Sequence, residues 1–206
     1  MGVLSPHFII MVTSTPANSA VDIASRALIL IGAEPITSFG DGTTESLITS
    51  NLYEDIARTA LVNARWRFAT NQAVLNLLSD APTGRYDKAY QLPEDTLMVH
   101  AVTVNDALID YQIYGNMIYA DTNEADSVVV DYTFRANEVD WASYFSLAVE
   151  YALAVPLSFS LARDASLGNL MQQQATALMA KARSIDSQQQ TTRKLVTSRF
   201  ITNRRS

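Results

Sequence analysis

The stretch Leu97-Met98-Val99-His100-Ala101-Val102-Thr103-Val104, followed by Asn105-Asp106 and then by Leu108 to Tyr114, decides the fold. Aliphatic and β-branched side chains dominate its first eight residues, which read as a strand. Asn and Asp both tolerate positive φ, so Asn105-Asp106 reads as a tight turn into a second strand, Leu108–Tyr114. Gly115-Asn116 is the next turn signal, and Met117–Ala120 follows it. Ser127–Phe134 places Val128, Val130, Tyr132 and Phe134 on one face and closes a small antiparallel sheet. Pro82, Gly84 and Pro93 punctuate the approach, so the β segment is bounded at 81–136.

The period changes from two to 3.6 on both sides of this segment. Asn18 or Ser19 can cap a helix, with Asp22 at its positive end. Val21, Ala24, Leu28 and Ile31 share one face of it, and Gly32 and Pro35 stop it. A second helix is expected from about Thr43 to Phe68, with Leu47, Leu52, Ile56, Ala60, Leu61 and Ala64 inward and Tyr53, Glu54 and Arg58 toward water. Helix returns at Asn137 with the stripe Trp141, Phe145, Ala148, Ala152 and Val155, and Pro156 is expected to kink it. Ser166 is the expected cap of a last helix to about Gln188, with Leu167, Leu170, Met171, Leu178 and Ile185 as its apolar side. The fold class is therefore α+β: a mainly helical antiparallel bundle (19–80 and 137–188) with an inserted small antiparallel β-sheet (81–136). An N-terminal arm (1–18) precedes it, and an extended basic C-terminal tail (189–206) follows.

Composition narrows the chemistry. The chain has 206 residues, no Cys and two His, His7 and His100. That excludes disulfides, thiolate metal sites and a Cys nucleophile, and leaves little for a His-based metal site or a Ser-His-Asp triad. No cofactor is expected. His100 reads as an ordinary sheet residue. Glu94-Asp95 and Glu54-Asp55 are adjacent pairs that point in different directions, unlike the carboxylates of glycosidases, which come from separate elements. Neither a P-loop nor a Gly-x-Ser-x-Gly elbow is present. The run Tyr151–Ala162 is too short to span a bilayer, and Met1–Ile10 lacks the basic start of a signal peptide, so no membrane partner is expected.

Charge is segregated. Residues 1–192 carry ten basic and 21 acidic side chains, whereas 193–206 carry five basic and no acidic ones. The acidic body argues against DNA binding by the domain itself. The end is the candidate site: Arg193, Lys194, Leu195, Val196, Arg199, Phe200, Ile201, Arg204 and Arg205. Lys194–Thr202 is rich in strand formers, with Leu195, Thr197, Arg199 and Ile201 to one side and Val196, Ser198 and Phe200 to the other. Such a segment suits strand addition to a partner's open sheet edge, with its cations meeting an acidic surface or phosphates. Trp66-Arg67-Phe68, with Arg58 and Arg65, is the one basic-aromatic cluster outside the tail. It reads as an anchor of bundle against sheet, with nucleic-acid contact as the alternative. Tyr111, Tyr114, Tyr119 and Tyr132 read as sheet packing, with a base- or sugar-stacking platform as the alternative.

Several stretches taken together resemble phage head-to-tail adaptors of the tail tubular protein A kind. They are Ala27-Leu28-Ile29-Leu30-Ile31-Gly32-Ala33-Glu34-Pro35-Ile36, Asn51-Leu52-Tyr53-Glu54, and Trp66-Arg67-Phe68-Ala69. The most specific is Tyr86-Asp87-Lys88-Ala89-Tyr90-Gln91-Leu92-Pro93-Glu94-Asp95, and Gly115-Asn116-Met117-Ile118-Tyr119-Ala120-Asp121 follows in the same order. The similarity covers about 19–187. Residues 1–18 have no counterpart, and Arg65 stands where a Pro is common. The resemblance implies a virion structural protein of the neck and tail, not an enzyme. It also implies a homo-oligomeric ring, usually twelve-fold, that docks on the portal protein and joins it to the next tail component, a nozzle or stopper. DNA passes through such a ring without sequence-specific binding, and its subunits are made and assembled in the host cytoplasm. Two other classes stay open on the residues alone. One is a small DNA-binding or regulatory protein using the basic tail; the other is a tail-associated glycan-binding or hydrolysing protein using Glu94 or Asp95.

Overall fold

The computed structural model describes residues 15–79, 82, 84–123 and 126–189. Helix α1 (Ala20–Leu30) begins where Ser19 Oγ accepts from Asp22 N at 3.1 Å and donates back to the Asp22 carboxylate at 2.7 Å. It ends in a Schellman motif: Gly32, at φ +75°, donates to Ile29 O while Ala33 donates to Leu28 O. Helix α2 (Thr44–Val62) starts on Thr43, whose hydroxyl accepts from Ser46 N.

Two features of α2 differ from the periodic reading. The helix stops at Val62, six residues before Phe68, because the Trp66 indole donates to Ala60 O at 2.9 Å. This side chain adds a second donor to a carbonyl that the last turn serves only through Asn63 N at 3.3 Å, and the backbone turns extended at Trp66. The second difference is rotational: Tyr53 is buried and Leu47 is exposed. Tyr53 packs against Phe39 and donates its hydroxyl to Glu138 Oε1 at 3.0 Å, so an amphipathic side chain finds a polar partner inside the fold.

Strands β1 (Thr70–Val74) and β2 (Asn76–Leu77) follow directly, within the 19–80 range read as helical. The others are β3 (Lys88–Gln91), β4 (Thr96–Val104), β5 (Ala107–Leu108), β6 (Tyr111–Tyr114), β7 (Met117–Ala120) and β8 (Val128–Phe134). They form two antiparallel sheets in place of one, ordered β1-β8-β4-β5 and β2-β3-β7-β6. The expected strand Leu108–Tyr114 is divided because the chain changes sheets at Ile109-Asp110. Its first part pairs with β4, and its second part pairs with β7. Ile109 and Tyr111 both turn toward the core shared by the two sheets, built on Tyr90, Val102, Ile118, Val128, Val130 and Tyr132. Asn105 and Asp106 adopt φ of 50° and 64°, the backbone a two-residue hairpin turn requires.

Helix α3 (Ser143–Ser160) is the centre of the bundle and fully buries Phe145, Val149, Leu153 and Leu157, while Leu147 and Phe159 stay exposed. It stays one helix through Pro156. Ser158 and Ser160 donate to Ala154 O and Pro156 O, so they do not serve the Ala152 carbonyl that Pro156 leaves without its usual donor. Helix α4 (Ala165–Gln188) is capped by Asp164, two residues before the expected Ser166. Asp164 Oδ1 accepts from Ser166 N at 2.8 Å and Leu167 N at 3.0 Å. Its inward stripe is thin and small (Gly168, Met171, Ala175, Ala182, Asp186), while Leu170 stays exposed. Phe134, at the end of β8, packs against both hydrophobic clusters and joins sheets to bundle.

Candidate docking site and its supports

All nine candidate tail residues, Arg193 to Arg205, lie outside the described residues, as does His7 of the arm. The structure does describe the platform from which the tail departs. At the end of α4, Asp186 is buried. Its Oδ1 accepts from the Tyr144 hydroxyl at 2.7 Å and its Oδ2 from Arg67 N at 3.2 Å. The Arg67 guanidinium lies 3.8 Å from the same carboxylate and donates to the Gln189 side chain. A buried carboxylate with several donors holds its helix firmly, because losing any one of them leaves charge uncompensated. Burial and the neighbouring Asp186 push the Tyr144 phenol up to about 12. The last turn of α4 is thus clamped to α3 and to the segment after α2.

Trp66-Arg67-Phe68 serves this clamp. Trp66 is fully buried, its ring 4.9 Å from Phe145 and 6.1 Å from Phe68, and Trp141 meets Phe145 from the other side at 4.8 Å. The aromatics pack onto Phe145 of α3 within the bundle core, and Arg67 is spent on Asp186 and Gln189.

A second node joins the sheets to the bundle. Arg135, just after β8, donates from Nη2 to Glu54 Oε2 at 2.9 Å and to Glu138 Oε1 at 2.6 Å. Its Nε reaches Glu54 Oε1 at 3.0 Å, and its guanidinium carbon lies 5.4 Å from the Trp141 ring centre. Burial alone would lower the Arg135 pKa, but the two carboxylates outweigh it and push it up. The Arg135 hydrogen bonds hold the Glu54 carboxyl below its ordinary range. Glu54 is therefore a structural ion-pair partner, while Asp55 lines a groove between α2 and α4.

That groove, of about 460 Å³, is floored by Ile56, Ala152, Ala175 and Met179. On the far side of the bundle, Glu150 is buried within α3, with Arg26 at 3.5 Å as its ion-pair partner. Burial raises its carboxyl above the ordinary range despite that cation. Arg26 also donates to Thr15 O, which ties the incoming chain to α1.

The remaining candidates separate. His100 Nε2 lies 2.7 Å from Thr133 Oγ1, and burial and then the Arg65 charge lower its pKa. Glu94 and Asp95 are exposed at a turn, where Asp95 O accepts from Arg135 N. The tyrosines form no common platform: Tyr132 is buried in one sheet, while Tyr114 and Tyr119 contact each other at 5.1 Å in the other. Among the described residues no group of three or more His, Asp or Glu gathers to hold a metal, and no helix is long and apolar enough to cross a membrane.

Motif reading singles out neither Arg135 nor Asp186, yet both leave a trace. Arg135 is the lone cation between Lys88 and Arg163, and Asp186 falls four residues after Ala182 on the apolar stripe of α4.

A helical bundle carrying two small sheets, its buried charges committed to holding elements together, has the make-up of a structural subunit. The family model described as tail tubular protein matches residues 19–160, and the chain belongs to that family. It is a phage tail structural protein and a component of the virion tail. No curated protein matches the chain.

Proposed function

We propose that this protein is the head-to-tail adaptor: a homo-oligomeric ring that docks on the portal and joins it to the next tail component around the DNA channel. The observation that carries the reading is the separation of charge and pattern along the chain. A body rich in carboxylates is followed by fourteen residues with five cations and no acid, rich in strand formers from Lys194 to Thr202. The Asp186 clamp supports this use, since a tethered docking segment gains affinity when its point of departure is held still. Lys194–Thr202 pairs with the portal through backbone hydrogen bonds, Val196 and Phe200 fill pockets, and the arginines meet acidic groups. Acidic subunit surface toward the channel lets DNA pass without counterion-release binding.

The test is the native mass of the protein alone and mixed with the portal ring of the same particle, for the full chain and for a 1–192 truncation. A ring-sized complex that requires residues 193–206 is expected. The absence of a complex with either chain, in salt that keeps the portal intact, overturns the adaptor reading.

A further inference from the structure

Strand β6 ends its sheet. It pairs with β7 on one side (Tyr111 with Ala120, Gln112 with Tyr119, Ile113 with Ile118, Tyr114 with Met117), and among the described residues no strand lies on the other. In an antiparallel ladder, residues alternate between exchanging hydrogen bonds with the neighbour and pointing those groups away. The two-residue turn Gly115-Asn116 makes Tyr114 and Met117 an exchanging pair, so Tyr111 and Ile113 direct N–H and C=O to the open side. Ile113 and Tyr114 are also about half exposed, an unusual apolar load for an edge strand with no bulge or proline to blunt it.

Carboxylates outnumber cations around this edge, with Lys88 of β3 in the row of Tyr111 on the other side of β7. From Ala89 to Phe134 the chain carries eight Asp or Glu and no Lys or Arg. Asp110 immediately precedes β6, and Asp106 lies in the turn before it, both exposed. An open edge with apolar teeth in a field of carboxylates fits a strand that is itself apolar and basic.

We propose that β6 receives Lys194–Thr202 of a second copy of this chain as an added strand. The segment carries Leu195, Val196, Phe200 and Ile201 together with Lys194 and Arg199 and holds no acid, the complement of the edge in charge and in apolar content. The donor is a second copy because the geometry is unfavourable within one chain. Gln189 is held beside Arg67, just before β1. That places the end of α4 at the first sheet, whereas β6 is the far edge of the second, three strand spacings, about 14 Å, beyond β2. The five steps from Gln189 to Lys194 span at most about 18 Å, and within one chain they would have to cross from the first sheet to that far edge. The inference rests on the tail being a strand donor, the property that the portal-docking reading also uses. It adds a regulation of that reading: in the absence of a portal, free chains lend their tails to one another, and the portal competes for the same segment.

The test is sedimentation of the full chain over a range of concentration and salt, with two variants. Ile113→Pro removes an outward N–H, and Asp110→Arg reverses an exposed charge while leaving the core untouched. The expected result is self-association that weakens with salt, and that falls about tenfold or more in each variant. Circular dichroism checks that each variant is folded, and Asp110→Arg carries the test if Ile113→Pro is not. A full chain that stays monomeric up to its solubility limit overturns the proposal, as does association unchanged by Asp110→Arg. Portal binding measured on the same samples separates the two readings. Association lost with portal binding intact supports β6 as receptor and keeps the adaptor, whereas association unchanged with portal binding lost on truncation overturns the β6 receptor alone.

Discussion

Replacing Arg135 with Met tests whether one guanidinium holds the sheets on the bundle. Arg135 and Glu138 have side chains only 18% and 15% exposed, so removing the cation strands a nearly buried carboxylate. Lost hydrogen bonds to a charged group contribute about 1.5–3 kcal/mol. The Glu54 arm is 45% exposed and screened, and adds no more than about 1 kcal/mol. Contact with the Trp141 face adds about 0.5–1 kcal/mol, and the Met side chain recovers part of the packing. The expected cost is about 3 kcal/mol, or roughly 6–12 °C in Tm for a chain of this length. Urea unfolding followed by circular dichroism measures it, with Arg58→Met as control. Arg58 pairs with the same Glu54 at 2.6 Å but is 54% exposed, and its loss is expected to cost less than about 1 kcal/mol. If the two substitutions cost the same, the node is solvated and the reasoning fails.

Three further outcomes follow from other sites. Trp66→Phe leaves the Ala60 carbonyl without its indole donor and opens a void beside Phe145, so a loss of about 2–3 kcal/mol is expected in the same denaturation assay. Glu150→Gln removes a buried carboxylate whose folded pKa is raised above about 4.5. The protonated acid favours folding below that value, and the contribution is lost as pH rises through the folded pKa. The stability difference between Glu150→Gln and the parent is therefore expected to move in favour of Gln from pH 4.5 upward; a difference moving the other way refutes the assignment. Asp106→Gly, at φ 64°, places the residue best suited to that backbone in the β4–β5 turn and is expected to raise the urea midpoint slightly, by about 0.5 kcal/mol in stability.

Much of the fold is local chemistry and could be read along the chain. Ser19 with Asp22, Gly32 after α1, Asn105-Asp106 and Gly115-Asn116 each act within a few residues, where spacing alone specifies the interaction. The inward face of β8 obeys the period of two, with Val128, Val130 and Tyr132 buried. The order of bundle, β segment and last helix, the charged end and the stretches shared with the tail tubular family are likewise properties of the sequence.

What the tertiary structure decided involves partners far apart in sequence. The end of α2 depends on where the Trp66 ring goes, and Tyr53 is inside because Glu138 waits 85 residues on. A run of strand formers from Leu108 to Tyr114 carries no mark of the point where it changes sheets, since both halves have the same propensity and only the shared core distinguishes them. Arg135 and Asp186 look like solvated charges on the page. Their burial follows from elements meeting, and an ion pair between distant residues leaves no periodic signal. Composition determined that the two ends of this chain differ in charge. The open β6 edge exists only once the sheet is assembled, because an edge is defined by which strands pair and not by the propensity of any one of them.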